Sequence, residues 1–335
     1  MPVMERLIRA THKLLALAIC LTLCATVLSY LGGIHWRFDY LAHGRVQWCA
    51  LSAVLLAAGL ATVAKESIAK RYIVLATVAF GLNAYPIAAF SFAPPPTVKQ
   101  ANGPPTLRVM AVKVNIGNRQ YDAVIHDIER ENPDLLLIME VNRSWMRHLA
   151  KIERAYPYKI AAPRQHAFGM VLYSKTPFVG QRIEEWGAYR LPYIVATTRD
   201  NDGNLLRILG VHTVPPVGET AAFSNHRQSR HIFDSMSDRE GPIIMLGDWN
   251  DTPWSYSYRT LLSGSNFKNA AQGRLPAPTW RTGFLGGIMI DHIFVKKMRV
   301  GGWHTGQKIA SDHRAVIADL QVIPKRNNIV GLQRR

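Results

Sequence analysis

Cysteine is scarce in this chain, and acidic side chains are outnumbered. The 3 cysteines, Cys20, Cys24 and Cys49, all lie in apolar stretches near the start. None follows residue 49, which excludes a disulfide framework and thiol chemistry for everything beyond it. Asp and Glu number 23 against 40 Lys and Arg, a formal net charge of +17. Such a surface attracts anions, among them phosphate esters, nucleic acid and anionic lipid headgroups, and does not choose between them. Internal repeats and low-complexity tracts are absent as well.

Charge is missing altogether from three early runs. Residues 14–34 and 72–92 are 21 residues each, and residues 46–64 are 19. Roughly 20 apolar residues cross the hydrocarbon core of a bilayer. The expectation is three transmembrane helices within residues 1–93, the third carrying Asn83 and a kink at Pro86. The first run is longer than the core of a secretory signal, and two more follow it, so it reads as an anchor rather than a cleaved leader. Arg6, Arg9 and Lys13 precede the first run, and Lys65, Lys70 and Arg71 separate the second from the third. The segment between the first two has only Arg37 and Arg45, offset by Asp39. Positive segments stay in the cytoplasm. The expected topology is therefore a multi-pass protein of the cytoplasmic (inner) membrane, N-terminus inside and C-terminal domain extracytoplasmic. His35, Trp36, Tyr40 and Trp48 suit an interfacial aromatic belt. Residues 94–106 form a stiff Pro-rich linker, and residues 323–335 a basic tail.

From residue 107 to 322 strand-like and helix-like runs alternate. Strands are expected over 108–116, 134–140, 169–174, 194–198 and 205–212, with another from Ile243. Helices are expected over 123–131, 143–155 and 221–236. Helices alternating with long apolar strands argue for α/β with a buried sheet. Successive strands over 158–212 add antiparallel pairing. Two packed mixed sheets flanked by helices satisfy both.

Polar residues cluster at the ends of these apolar runs. Glu140 ends Leu135-Leu136-Leu137-Ile138-Met139, as a hard-cation ligand or as an ordinary surface acid. Asn115 ends Val112-Lys113-Val114, to orient a phosphate oxygen or to form a turn. His212 ends Ile208-Leu209-Gly210-Val211. In Gly247-Asp248-Trp249-Asn250, Asp248 and Asn250 are two apart and project to one side, with Trp249 opposite. Asp291 and His313 are the most diagnostic pair, because an Asp accepting the imidazole N–H fixes the tautomer and leaves the other nitrogen free for a proton. Asp312 adds negative charge beside His313, and His292 falls on the opposite strand face from Asp291.

The set Asn115, Glu140, His212, Gly247-Asp248-Trp249-Asn250, Asp291-His292-Ile293 and Ser311-Asp312-His313 resembles the endonuclease/exonuclease/phosphatase (deoxyribonuclease I-like) superfamily. The apolar N-terminal runs are similar to those of its membrane-anchored VanJ/YafD-like subgroup. The resemblance implies a four-layer α/β sandwich with the site at one end of two sheets. It implies a Mg²⁺-dependent (or Mn²⁺-dependent) hydrolase of phosphoester or phosphoanhydride bonds. Glu140 would bind the metal, with Asn115 and Asp312 close by. Asp248 and Asn250 would orient water and phosphate. His313, held by Asp291, would act as base or as phosphate-polarising cation, and His212 would contact phosphate. Arg164, His166, Arg190, Tyr193 and Arg227 are candidates for a phosphate-binding rim.

The motifs do not choose a substrate. Tethering meets lipid headgroups at high effective concentration, so a phosphorylated or pyrophosphorylated lipid, such as a polyprenyl carrier, is the leading expectation. An anchored extracytoplasmic nuclease is the alternative, and a non-catalytic phospho-ligand scaffold is the reading from another class.

Overall fold

The structure, a computed structural model, describes residues 2–62, 67–96, 106–187, 189–200, 203–281, 283 and 286–323. Lys65, most of the Pro-rich linker and nearly all of the basic tail lie outside the described residues. The helices are α1 (Pro2–Leu28), α2 (Trp36–His43), α3 (Arg45–Thr62), α4 (Ser67–Ser91), α5 (Tyr121–Glu131), α6 (Arg143–Leu149), α7 (Glu219–Ser237) and α8 (Tyr256–Leu262).

The N-terminal part is a bundle of α1, α3 and α4 around Ile19, Leu55 and Ala76. Asn83 faces its interior, donating to Thr26 Oγ1 at 2.8 Å and to the Ala79 carbonyl at 2.9 Å. The expected count of three spans is met in part. Two helical stretches, Val3–Leu31 and Lys70–Ser91, are each long and apolar enough to cross a membrane. The middle run qualifies only together with α2, to which it is joined at a 68° bend. The described chain therefore holds two spans, or up to three if the bent pair counts as one.

The C-terminal part holds two six-stranded mixed sheets. Its strands are β1 (Leu107–Lys113), β2 (Leu135–Met139), β3 (Tyr158–Ala162), β4 (Met170–Ser174), β5 (Gly180–Trp186), β6 (Leu191–Arg199), β7 (Leu205–His212), β8 (Ile243–Asp248), β9 (Lys268–Asn269), β10 (Trp280–Arg281), β11 (Gly287–Ile288), β12 (Asp291–Lys296), β13 (Met298–Thr305) and β14 (Val316–Val322). One sheet runs β13-β14-β1-β2-β4-β3 and the other β5-β6-β7-β8-β12-β9, with β10 and β11 a separate hairpin. β1–β2 and β7–β8 are parallel, and the other pairs antiparallel. The sheets face each other across Val109, Ala111, Leu137, Ile208, Leu246 and Ile293. Helices α5 and α6 cover the outside of the first sheet, over Met110, Val112 and Leu136. Helix α7 and Tyr258 and Leu261 of α8 cover the outside of the second, over Leu209, Met245 and Phe294.

Strand alternation explains both faces. In β1, Leu107, Val109 and Ala111 point between the sheets, and Met110 and Val112 point at the helices. Two expected element ends differ. β1 stops at Lys113 because Asn115 turns left-handed, at φ 64°. α6 stops at Leu149, where the chain tightens into a 3₁₀ turn over Ala150–Ile152.

Candidate active site

The alternation that builds the inter-sheet core also builds the site. Lys113, Met139, His212, Asp248 and Asp291 each continue the inward face of β1, β2, β7, β8 and β12 at the same end of the sandwich. The register places His212 beside Asp248, and Asp248 opposite Asp291. The apolar core thus ends in a buried polar cap. Gly247 makes this approach feasible. Its φ is 140°, and a Cβ there would lie 1.8 Å from the Val211 carbonyl oxygen.

Lys113 was given no role in the sequence, yet it stands at the centre. Its Nζ lies 3.0 Å from Asp248 Oδ2 and 3.1 Å from Glu140 Oε1. Burial alone would push its pKa down, but Asp248 and Glu140 outweigh that and hold it above the ordinary value. The signal was visible, a lysine in phase with the apolar inward residues Leu107, Val109 and Ala111 of β1. Glu140 also accepts the Ile116 N–H at 2.9 Å.

His313 forms the second couple. Its Nδ1 lies 2.8 Å from Asp291 Oδ2, and its Nε2 lies 3.9 Å from Asp248 Oδ2. Burial would lower the His313 pKa, but Asp291 raises it above the ordinary value. Asp291 itself is held low: burial opposes its charge, and His313 more than compensates. The backbone N–H of Asp291 is fixed to Thr279 Oγ1 at 3.0 Å, and that of His313 to Ser311 Oγ at 3.1 Å.

His212 differs from His313. Its Nε2 is 3.6 Å from Asp248 Oδ2, and its Nδ1 is buried with no hydrogen-bond partner. Burial, then the charge of Lys113, push its pKa down to about 3, so it is neutral at physiological pH. The Phe168 ring packs on it at 4.7 Å, and His166 lies beyond Phe168.

Asn250 donates its backbone N–H to Asp248 Oδ1 at 2.9 Å and one side-chain N–H to the Thr213 carbonyl at 2.8 Å. The other side-chain N–H is uncommitted in these contacts. Asn115 and Asp312 meet each other, Nδ2 to Oδ1 at 3.2 Å, and Trp280 Nε1 donates to Asp312 Oδ2 at 3.1 Å. Asn115, Glu140 and Asn250 all have positive φ, 64°, 64° and 52°. Each such residue stores about 1–2 kcal/mol of backbone strain. Their concentration at one end of the sheets marks a site rather than ordinary loops.

Other expected residues stand apart. Arg164 pairs with Glu185 at 2.7 Å, and Arg190 pairs with the same carboxylate, so two rim cations are partly neutralised. Arg227 stacks over Phe223 on α7, and Tyr193 is buried against the outer helix layer. His292 faces away from Asp291, its Nε2 2.7 Å from the Asp251 carbonyl and its Nδ1 2.9 Å from Asn269 Nδ2. Trp249 packs among Phe233 and Phe294.

Two donor sets fit a divalent cation. Asp248, Asp291 and His313 bring one ligand atom each within 4.8 Å of one another. Glu140 and Asp248 form the other, and their need for a countercharge is shown by the ammonium they share. Hard carboxylate oxygens suit Mg²⁺ or Mn²⁺. In the first set His313 and Asp291 are bonded to each other, and in the second both carboxylates are bonded to Lys113.

Known proteins share this fold. Residues 114–313 match the Endonuclease/Exonuclease/phosphatase family. A UPF0294 protein of Vibrio cholerae is 28% identical over 144 residues, 42% of this chain and 49% of that protein. One of Vibrio vulnificus is 27% identical over 118 residues, 35% and 40%. The chain spans about half the length, or less, of these curated relatives. The fold recurs in an endonuclease/exonuclease/phosphatase of Beutenbergia cavernae (TM-score 0.55, 19% identity, 64% of this chain, 71% of that one). It recurs in D. rerio TDP2 (0.56, 12%, 64% and 99%) and in sphingomyelinase C of Streptomyces griseocarneus (0.50, 15%, 64% and 99%).

Proposed function

The chain belongs to the endonuclease/exonuclease/phosphatase family, and from that premise we propose that it is a membrane-anchored, divalent-metal-assisted phosphoesterase acting on a phosphorylated lipid. The family's hydrolases act on phosphoester bonds. The observation that carries the reading is the convergence of Lys113, Glu140, His212, Asp248 and the Asp291–His313 couple at one end of the sandwich, in a chain with apolar helices fit for a bilayer.

The residues divide the work as follows. Asp248 accepts a proton from the attacking water and holds it in line. Asn250 and neutral His212 orient phosphoryl oxygens. His313, with Nδ1 tied to Asp291, presents Nε2 to the phosphate, and its raised pKa favours the imidazolium that stabilises developing charge. Lys113 supplies a fixed positive charge nearby. A divalent cation on Glu140 and Asp248 would add electrostatic stabilisation of the phosphoryl group.

For topology, we read α3 as a crossing as well, the second of three between α1 and α4. Gln47 at its start and Phe90 at the end of α4 both touch the C-terminal domain, so α3 leads away from that domain and α4 leads back. With the N-terminus inside, this supports a catalytic domain on the extracytoplasmic face.

A nuclease is the second reading. The likeness to D. rerio TDP2, seen complexed with a single strand DNA product, favours it. Purified full-length protein should be assayed with Mg²⁺ on polyprenyl phosphates, phospholipids and plasmid DNA, with and without chelator. Chelator-sensitive phosphate release from lipid, lost in Asp248→Ala and His313→Ala, is expected. Cleavage of DNA with inert lipids would reverse the assignment, and activity surviving both substitutions would end it.

A further inference from the structure

The apolar helices are not a loose tether. Asp39 on α2 accepts the backbone N–H groups of Tyr256 and Ser257, which open α8. His43 Nδ1 lies 3.2 Å from Thr252 Oγ1. Gln47 on α3 donates to the Gly287 carbonyl at 2.9 Å. Phe90 near the end of α4 meets Trp254 edge-on at 5.9 Å. Residues 251–257 directly follow Asp248 and Asn250. Gly287 belongs to the β10–β11 hairpin, whose Trp280 bonds Asp312 just before Asp291 enters β12. Both loops that rise from the catalytic strand ends therefore rest on the helices.

The connector shows how this is reached. The Phe90 carbonyl accepts the Gly273 N–H at 3.0 Å, and the Pro96 carbonyl accepts the Val300 N–H at 2.9 Å. Val300 pairs with Leu320, which pairs with Leu107 at the start of β1, the end remote from the catalytic residues. The chain leaving α4 thus runs down the side of the sandwich as a strap. β1 then climbs back and delivers Lys113 to the membrane-proximal end.

An apolar lip borders this end. Ile34 (74% exposed), Tyr40, Val217 (71%) and Phe223 (62%) are largely exposed, although Arg227 lies over the Phe223 ring and His43 against Tyr40. Ile34, Trp36, Tyr40, Phe223 and Tyr256 line a cavity of about 440 Å³ between α2 and the start of α7. No Lys or Arg lines it, whereas Asp39, Glu219 and Asp251 do. His35, His43 and His226 line it too, so it offers a phosphate no fixed cation, and its aromatic and apolar walls suit the interfacial part of a lipid. Asn225, another lining residue, bonds the Val214 and Trp249 carbonyls, so the lip adjoins the segments carrying His212 and Asn250.

We propose that the catalytic mouth is held face-down on the bilayer, with the α2–α7 lip in contact with lipid, so that the substrate enters from the membrane plane. The lip is continuous with helices long and apolar enough to cross the membrane, which is why lipid, rather than a protein partner, covers it. The substrate part of this proposal rests on the phosphoesterase reading; the orientation does not.

Orientation is tested in the full chain with Cys20, Cys24 and Cys49 replaced by Ala, reconstituted in phosphatidylcholine/phosphatidylglycerol vesicles. A bimane is placed on Phe223→Cys or, at the far end of β7, on Leu205→Cys. An 8-residue strand separates the two ends by about 25 Å. Acyl-brominated phospholipid should remove about half the fluorescence at position 223, a depth expected of interfacial side chains, and leave position 205 unchanged. Equal quenching at both, or none at 223, overturns the proposal. In parallel, Phe223→Glu should lower hydrolysis of vesicle-borne lipid phosphate by up to about fivefold, the cost of a charge near the lipid interface, with hydrolysis of soluble bis(p-nitrophenyl) phosphate unchanged. Equal losses on both substrates, or none on lipid, count against it. If wild type hydrolyses neither ester, the phosphoesterase reading fails and the quenching result alone decides the orientation.

Discussion

Replacing Lys113 by Met tests the electrostatic logic of the centre. In the wild type one ammonium lies 3.0 Å from Asp248 and 3.1 Å from Glu140, at a site almost closed to water. The substitution keeps the apolar stem and leaves two buried carboxylates without their shared countercharge. Removing one partner of a buried ion pair costs about 3–5 kcal/mol. In a domain of this size each kcal/mol moves the melting temperature by about 2–4 °C, so the metal-free Tm should fall by about 6–20 °C. A divalent cation on the same carboxylates would restore the countercharge. At one hundred times its dissociation constant it contributes about 2.7 kcal/mol, and recovers much of the loss. The assay is the melting of purified full-length protein in detergent, followed by tryptophan fluorescence, in chelator and across a Mg²⁺ titration. The variant should melt lower in chelator and gain more from Mg²⁺ than the wild type does. A chelated variant melting within about 2 °C of wild type, less than one kcal/mol moves it, would refute the reasoning. Equal Mg²⁺ shifts would show that the cation seat is elsewhere.

Asp291→Asn should lower kcat by about 10²–10⁴, as expected for a misdirected imidazole, with the fold retained. The couple has a defined pH window. His313 is raised, so its contribution is complete below the unfolded His pKa and is lost as pH rises through the folded value; Asp291 is lowered, so its contribution is complete above the unfolded Asp pKa and is lost as pH falls through the folded value. The stabilisation is thus fullest between about pH 4 and 6.5, and denaturant melts of Asp291→Asn should lack it there. His212 predicts the opposite trend. Its pKa is pushed down to about 3, so below about pH 6.5 the unfolded chain binds a proton the folded one does not, and stability falls by about 1.4 kcal/mol per pH unit. His212→Asn should reduce that acid slope by one proton in melts between pH 5 and 7. Gly247→Ala should give no soluble folded protein on size exclusion, because its Cβ would overlap the Val211 carbonyl; a well-folded variant would contradict the close β7–β8 approach.

The amino-acid sequence by itself determined the strands, their inward faces and most of the polar cap. Period-two alternation is a local property, so Asp248 in phase with Ile244 and Leu246 follows from covalent geometry alone, whereas Asn250 lies beyond β8 and is placed by its bonds to Asp248 and Thr213. The apolar runs were equally plain, because a charge-free stretch of about 20 residues has few other uses. What escaped was set by distant partners. β13 was hidden by Gly301 and Gly302, which weaken any strand pattern and sit at a register shift against β14. Lys113 carries no local sign of its partners, because Glu140 and Asp248, within 3.1 Å of it, come from distant parts of the chain. The bend between α2 and α3, the strap over Val300 and the seating of the catalytic loops on the helices join residues up to 240 positions apart. Such contacts depend on how sheets and helices pack, and local sequence carries no record of that. The residues of the site were therefore legible along the chain, and their seating against the helices was decided only by the tertiary structure.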